Sequence, residues 1–386
     1  MSNQEEQPDS RFDSHYENIQ SLKTAATTAI SRVLGVRENE KLLIVTNPRP
    51  DVSDISMALY DAAVEAGAQP VLVYQQMKSQ LDFAEPSVIE ALGARPAVFI
   101  SMSAGKLGKD RKAISEPYLS GDKRYDSLFH YLLYGEKSVR SFWSPGITQD
   151  IFIRTVPIDY DVLKTRCAAL KAILDPATAV HIKTKAGTDL RIGLQARIAF
   201  VDDGNFTSRG RGGNLPAGET FISPQLGSSN GTIVFDGSIA SHRGTIKIRN
   251  PIRVTVRDGF VTDVEGGQEA EELADTIRRG EENASAFEEQ GTLAQGLGAI
   301  YRRNARNIGE LGIGLNPAAR VTGNMLEDEK AFRTCHIAIG QNYDEDAPAL
   351  IHLDGTILNP TIVATGVDGR PVPIMTDGEF DCFPAI

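Results

Sequence analysis

A chain of 386 residues is too long for one ordinary hydrophobic core, so two domains are expected. Its 41% hydrophobic and 24% charged residues are those of a soluble globular protein, and a net charge of −11 argues against a nucleic-acid binder, which needs a basic face to neutralise phosphates. Three widely spaced cysteines, Cys167, Cys335 and Cys382, form no C-x-x-C pair, which speaks against a zinc finger or a disulfide framework and suits a reducing cytoplasm.

Residues 1–15 read as a disordered tail. The stretch is polar and lacks the apolar core of a signal peptide, and no later run approaches membrane-spanning length. An amphipathic helix is expected from Tyr16 to Leu34, then a short apolar strand at Lys41–Thr46. Ser53 or Asp54 can cap a helix that runs to Glu65 and stops at Gly67. Pro70–Tyr74 and Ala97–Ser101 are further strands, with a short helix at Pro86–Leu92 between them. Alternating strands and helices predict a parallel sheet. Thr46-Asn47-Pro48-Arg49-Pro50 follows the first strand where a phosphate-binding loop would lie, and its prolines remove the amides such a loop needs, so nucleotide binding is not expected. After a helix near Asp159–Leu174 the texture changes to short strands separated by glycine turns: Val180–Thr184, Asp189–Ile192, Thr232–Asp236, Thr245–Ile248 and Ile252–Val256. Ser208–Gly213 reads as a flexible loop and Glu269–Gly280 as a helix. The expected fold is therefore an α/β N-terminal domain with a parallel sheet over 16–178, joined to an α+β, β-rich C-terminal domain over 179–386.

Two of the six histidines fall in one late window, Cys335-His336-Ile337-Ala338-Ile339-Gly340 and Ile351-His352-Leu353-Asp354-Gly355. An H-x-D pair on a strand points both side chains to one face, and a neutral imidazole beside a carboxylate is half of a divalent-metal site. Matching acids stand upstream: Glu219 after the turn-forming Pro216-Ala217-Gly218, and Glu310 among the glycines of Ile308-Gly309-Glu310-Leu311-Gly312. Singly, each has an ordinary explanation. Glu219 could be an exposed turn acid, His336 a hydrogen-bonded core residue, His352 and Asp354 a simple core pair, and Glu327-Asp328-Glu329 a solvated charge cluster. Tyr343 reads as a loop aromatic, although near a metal its phenol could donate to a developing oxyanion. Together the acids and histidines point to metal-assisted hydrolysis. No G-x-S-x-G elbow supports a serine triad.

P-A-G-E, G-E-L-G-I-G, H-I-A-I-G and H-L-D-G in this order resemble the metalloaminopeptidase family typified by aminopeptidase T and aminopeptidase S, most strongly from Asn214 to Thr361, with a fainter likeness at Phe142-Trp143-Ser144-Pro145-Gly146-Ile147-Thr148. The resemblance implies Glu219, Glu310, His336, His352 and Asp354 as ligands of two divalent ions (Zn, Co or Mn), with Glu310 bridging the ions or handling the water proton and Tyr343 assisting. The family places a further glutamate five residues before the histidine. Here that position is Ala331, and Glu329 is the nearest substitute, followed by Glu327. The 2,5-dihydroxypyridine dioxygenases are similar over the same fold, but bind one Fe(II) through two histidines and an aspartate, with a histidine as the counterpart of Glu310 and no P-A-G-E acid. Both glutamates are present here, which places the chain nearer the peptidases.

The expected function is thus a cytoplasmic metal-dependent aminopeptidase acting on short peptides, a homodimer by family resemblance, without nucleic-acid or membrane partners. The alternatives are a mononuclear Fe(II) dioxygenase using His336, His352 and Asp354, and a non-catalytic metal-binding relative.

Overall fold

The structure, a computed structural model, describes residues 10–79 and 82–383. Residues 1–9 of the expected tail lie outside that range, and 10–15 belong to a helix, Ser10–Thr28, that ends in one π-helical turn, Ala29–Val33.

The chain forms two units, Met1–Tyr160 with Gly204–Pro216, and Asp161–Asp203 with Ala217–Ile386. This differs from a single boundary near residue 178. The helix Tyr160–Leu174 goes almost wholly with the second unit, and a short stretch of the later sequence returns to the first.

The first unit is built on a five-stranded sheet in the order Gly212–Asn214, Arg140–Trp143, Val98–Met102, Lys41–Thr46, Gln69–Tyr74, every pair parallel. Val98–Met102 is buried throughout and Lys41–Thr46 from Leu42 onward, as expected of parallel strands covered on both faces. Leu43, Val45 and Phe99 pack with Val88 and Leu92 of the helix Pro86–Gly93 and with Leu132 and Leu133, each such side chain contributing roughly 1.5–3 kcal/mol on burial. The helix after the first strand starts at Pro50 rather than at Ser53 or Asp54. Proline suits the first helical position, where its missing N–H leaves nothing unsatisfied. Gly212–Asn214, inside and beyond the expected flexible loop, is an edge strand. A Cβ on Gly212 would lie 2.8 Å from the Ser141 carbonyl, so the glycine is what allows the approach.

The second unit carries two large antiparallel sheets and the helix Gln268–Glu289, which runs well past the expected Gly280. A further helix, Leu297–Asn304, was not expected. One sheet has eight strands. The other has seven, in the order Gly244–Lys247, Ser238–Ser241, His352–Leu358, Thr334–Gly340, Ile308–Gly314, Glu219–Ile222, Phe200–Asp202. On its three central strands large apolar residues alternate with small or functional ones. Cys335, Ile337 and Ile339 turn one way with Leu311, Ile313, Leu353 and Ile357, all buried. Gly355 belongs to that core face. A Cβ there would enter the Phe235 ring of the eight-stranded sheet at 2.4 Å, so the two sheets meet at this glycine. The expected fold class, a parallel α/β layer plus a β-rich part, is the one observed. Among the described residues no helix is long and apolar enough to cross a membrane.

Candidate metal centre

The opposite face of the seven-stranded sheet gathers the acids and histidines. In the antiparallel register Glu310 lies across from Ala338, which lies across from Asp354. Gly312 lies across from His336, Gly340 from His352, and Glu219 from Gly314. Glu219, Glu310, His336, His352 and Asp354 therefore share one face of four adjacent strands, with Ala338 and three glycines as the floor between them. The glycine at 312 is needed sterically: a Cβ would lie 2.0 Å from His336 Nε2. Gly218, with φ +135°, abuts Asn316, whose side-chain amide donates to the Ala217 carbonyl at 2.8 Å. That contact fixes the backbone just ahead of Glu219, in a conformation that glycine alone adopts readily.

Glu310 is central. Its Oε1 lies 3.2 Å from His336 Nε2 and its Oε2 lies 3.3 Å from His352 Nε2. Glu219 Oε2 lies 3.4 Å from His336 Nε2, and Asp354 Oδ1 lies 3.2 Å from His352 Nε2. Two groups have donor atoms within 4.8 Å of one another: Glu219, Glu310 and His336, and Glu310, His352 and Asp354. The set His336, His352 and Asp354 does not form such a group among the described residues; Glu310 joins His352 and Asp354 instead. His352 Nδ1 donates to the Gln341 carbonyl at 2.8 Å, which in that tautomer leaves the Nε2 lone pair facing the carboxylates.

The donor set fits a divalent ion. Glu219 Oε2, Asp354 Oδ1 and His336 Nδ1 are buried without a hydrogen-bond partner, although two of them lie close to imidazole nitrogens. Buried carboxylates in this arrangement are costly unless a cation compensates them. Oxygen and imidazole donors without thiolate suit Zn, Mn or Fe.

Electrostatics agree with the geometry. Burial opposes ionisation of Glu310, but hydrogen bonds from His336 and His352 hold its carboxyl below the usual range. Asp354 is likewise held low, His352 overcoming the effect of burial. Burial works against the His352 imidazolium, yet Asp354 and Glu310 push its pKa well up. His336 rises to about 9, because Glu310 and Glu219 outweigh its desolvation. An unfolded histidine titrates near ~6.5, so stability carried by the His336 imidazolium is complete below about 6.5 and is lost as pH rises toward about 9, at most ~3 kcal/mol. Chelator-treated protein should show a falling urea midpoint across that window. Affinity for a divalent ion should rise over it, since loss of the His336 proton removes a positive charge beside Glu310. A flat midpoint would show that His336 is not protonated in the folded metal-free chain.

The acidic run 327–329 is not a solvated cluster. Glu327 accepts from Arg320 N at 2.7 Å and from Thr322 Oγ1 at 3.2 Å, and Asp328 accepts from Thr322 N at 2.7 Å and Gly323 N at 3.0 Å. Both hold the 320–323 loop, so Glu327 is engaged away from the donors. Glu329 turns to the cluster. Burial raises its carboxyl to about 7 against the pull of Lys330, with Glu219 and Asp354 adding to the rise. Lys330, singled out by nothing in the sequence, is 1% exposed and sits among the acids.

Tyr343 stands beside His352, ring centroids 5.4 Å apart and edge to face. It also meets Phe221 at 4.9 Å, and Phe221 stacks on Phe200 at 5.3 Å. Withdrawal of its hydroxyl from water and the surrounding carboxylates push the Tyr343 pKa well up, while the residue as a whole stays 53% exposed. The three rings form an aromatic wall next to the donors. Phe221 shares their face two residues after Glu219, a period that the sequence does display.

A family model described as 2,5-dihydroxypyridine 5,6-dioxygenase (NicX) matches residues 148–340, half of the chain. A 2,5-dihydroxypyridine 5,6-dioxygenase of Pseudomonas putida is 30% identical over 129 residues, a match spanning 33% of this chain and 36% of that relative's length. Two solved structures share the fold at 19% identity. The 2,5-dihydroxypyridine dioxygenase of Pseudomonas putida has a TM-score of 0.66 and covers 93% of this chain and 96% of its own. AmpT of Thermus thermophilus has a TM-score of 0.62 and covers 94% and 99%. The kinship between the two enzyme groups that the motifs suggested is present among these neighbours, but the family match names the dioxygenases rather than the peptidases. By that match the chain belongs to the family described as 2,5-dihydroxypyridine 5,6-dioxygenase.

Proposed function

We propose that this chain is a divalent-metal-dependent hydrolase of aminopeptidase type, acting on a small amide or short peptide. The observation that carries the reading is Glu310. A carboxylate stands between the two imidazoles and belongs to both donor groups, so the group around His352 offers two carboxylates and one histidine. Mononuclear Fe(II) oxygenases of the facial-triad kind use two histidines and one carboxylate.

Glu310, His352 and Asp354 would hold the ion. A bound divalent ion supplies Lewis acidity, polarising a carbonyl and lowering the pKa of water. His352 is oriented for this by its bond to the Gln341 carbonyl. Glu310 Oε1 is the atom placed to take up a proton, and His336 Nε2, 3.2 Å away, orients it. The Tyr343 phenol keeps its proton to high pH and can donate to an oxyanion. Phe221 and Phe200 would flank an apolar substrate group. Tyr343→Phe is expected to keep bound metal and lower turnover by about 10²–10³, the usual effect of removing one oxyanion donor. Turnover at the parent rate would remove Tyr343 from this role.

The second reading, a ring-opening dioxygenase, is favoured by the family match and the Pseudomonas putida relative. The test is a panel of aminoacyl amides with Zn, Co or Mn, run beside oxygen uptake with Fe(II) and 2,5-dihydroxypyridine. Amide turnover without oxygen uptake is expected. Oxygen uptake without amide turnover would transfer the assignment to the dioxygenase.

A further inference from the structure

Lys330 is among the largest fully buried side chains of the protein, and its ammonium lies at a point where three carboxylates converge. Nζ is 2.5 Å from Glu219 Oε1, 2.7 Å from Glu329 Oε1 and 3.6 Å from Asp202 Oδ2. Three acids around one position is the donor chemistry of a cation site. The lysine is pinned there by its main chain as well: its N–H donates to the Glu327 carbonyl at 2.9 Å and its carbonyl accepts from Asn316 N at 2.9 Å. Asn316 is the residue that holds the turn before Glu219. One local structure thus sets both the lysine and the glutamate it bonds.

We infer that the Lys330 ammonium is the resident second cation of this centre, so that Asp202, Glu219 and Glu329 serve the lysine and the protein binds one divalent ion, at Glu310, His352 and Asp354, rather than two. The inference rests on the metal-centre reading above and departs from the two-ion set implied by the family resemblance. Its physical basis is occupancy. Glu219 spends one oxygen on Nζ, and Glu329, the nearest substitute for a sixth ligand, spends its Oε1 on the same atom. A second divalent ion on the Glu219 side would stand within a few bond lengths of a buried positive charge that is only 1% exposed.

Metal content by elemental analysis after equilibrium dialysis against Zn or Mn tests this without reference to activity. One equivalent is expected for the parent chain. Lys330→Ala, which frees the three acids, is expected to take up a second equivalent. Two equivalents in the parent, or an unchanged count in a folded Lys330→Ala variant, would overturn the inference. Should Lys330→Ala fail to fold, Glu219→Gln decides: its amide oxygen can still accept from Lys330, so one equivalent should remain, and loss of the ion would make Glu219 a ligand and overturn the assignment. One equivalent with no amide turnover would leave the inference standing and sink the hydrolase reading instead. No bound ion in the parent would sink the metal-centre reading. The lysine assignment then stands only if Lys330→Ala gains an equivalent.

Discussion

Glu310→Gln is expected to lower turnover by about 10²–10⁴, the range for loss of a general base, and to weaken metal binding in the same variant. The carboxylate is buried and hydrogen-bonded to His336, with His352 Nε2 3.3 Å from its other oxygen. Glutamine preserves the shape, so the sheet should hold. An amide cannot accept the water proton, and one of its ends presents an NH₂ to an imidazole where an acceptor stood. The His336 pKa, raised in part by Glu310, should move back toward the ordinary histidine value. Steady-state kinetics and a proton NMR titration of the metal-free variant read the two effects separately. Parent-like kinetics together with an unshifted His336 would show that Glu310 is neither base nor partner.

Gly312→Ala should strike the site itself, because the methyl is aimed at a candidate site residue. The new Cβ would fall 2.0 Å from His336 Nε2, 2.1 Å from Cε1 and 2.9 Å from Cδ2, inside a strand buried along its whole length. The ring lies 3.2 Å from Glu310 and 3.4 Å from Glu219, so moving it disturbs both acids. Overpacking of this kind costs about 1–3 kcal/mol, and the displaced imidazole should reduce metal affinity as well. Gly93→Ala, at the end of a helix with nothing within 4 Å, is the control and should be close to neutral. Equal melting temperatures for the two variants would mean that the His336 ring does not lie over Gly312.

The strands that carry the site could be read from the chain because their period is short and local. H-x-D puts His352 and Asp354 on one face wherever a strand forms, and both lie in the strand His352–Leu358. Glu310 and Glu219 needed the register across four strands, and only the order of motifs hinted at it. Lys330 could not be found at all. A lysine after three acids looks like a solvated run, and its burial comes from contacts made 111 residues away at Glu219. Gly212–Asn214 was missed for another reason. A three-residue edge strand with two glycines has no side-chain pattern, and its place is fixed by backbone pairing to Arg140–Trp143. The same return of the chain displaces any single domain boundary read from composition.

The most direct test of the central claim is retention of a divalent ion by the parent chain and by His352→Ala after dialysis, both checked for folding by circular dichroism. His352 Nε2 lies 3.3 Å from Glu310 and 3.2 Å from Asp354, so it is the donor that joins the two acids. A stoichiometric ion is expected in the parent and its loss in the variant. A folded His352→Ala chain that keeps the ion as firmly as the parent would contradict this expectation, and would reduce the H-x-D pair to a hydrogen bond within the sheet.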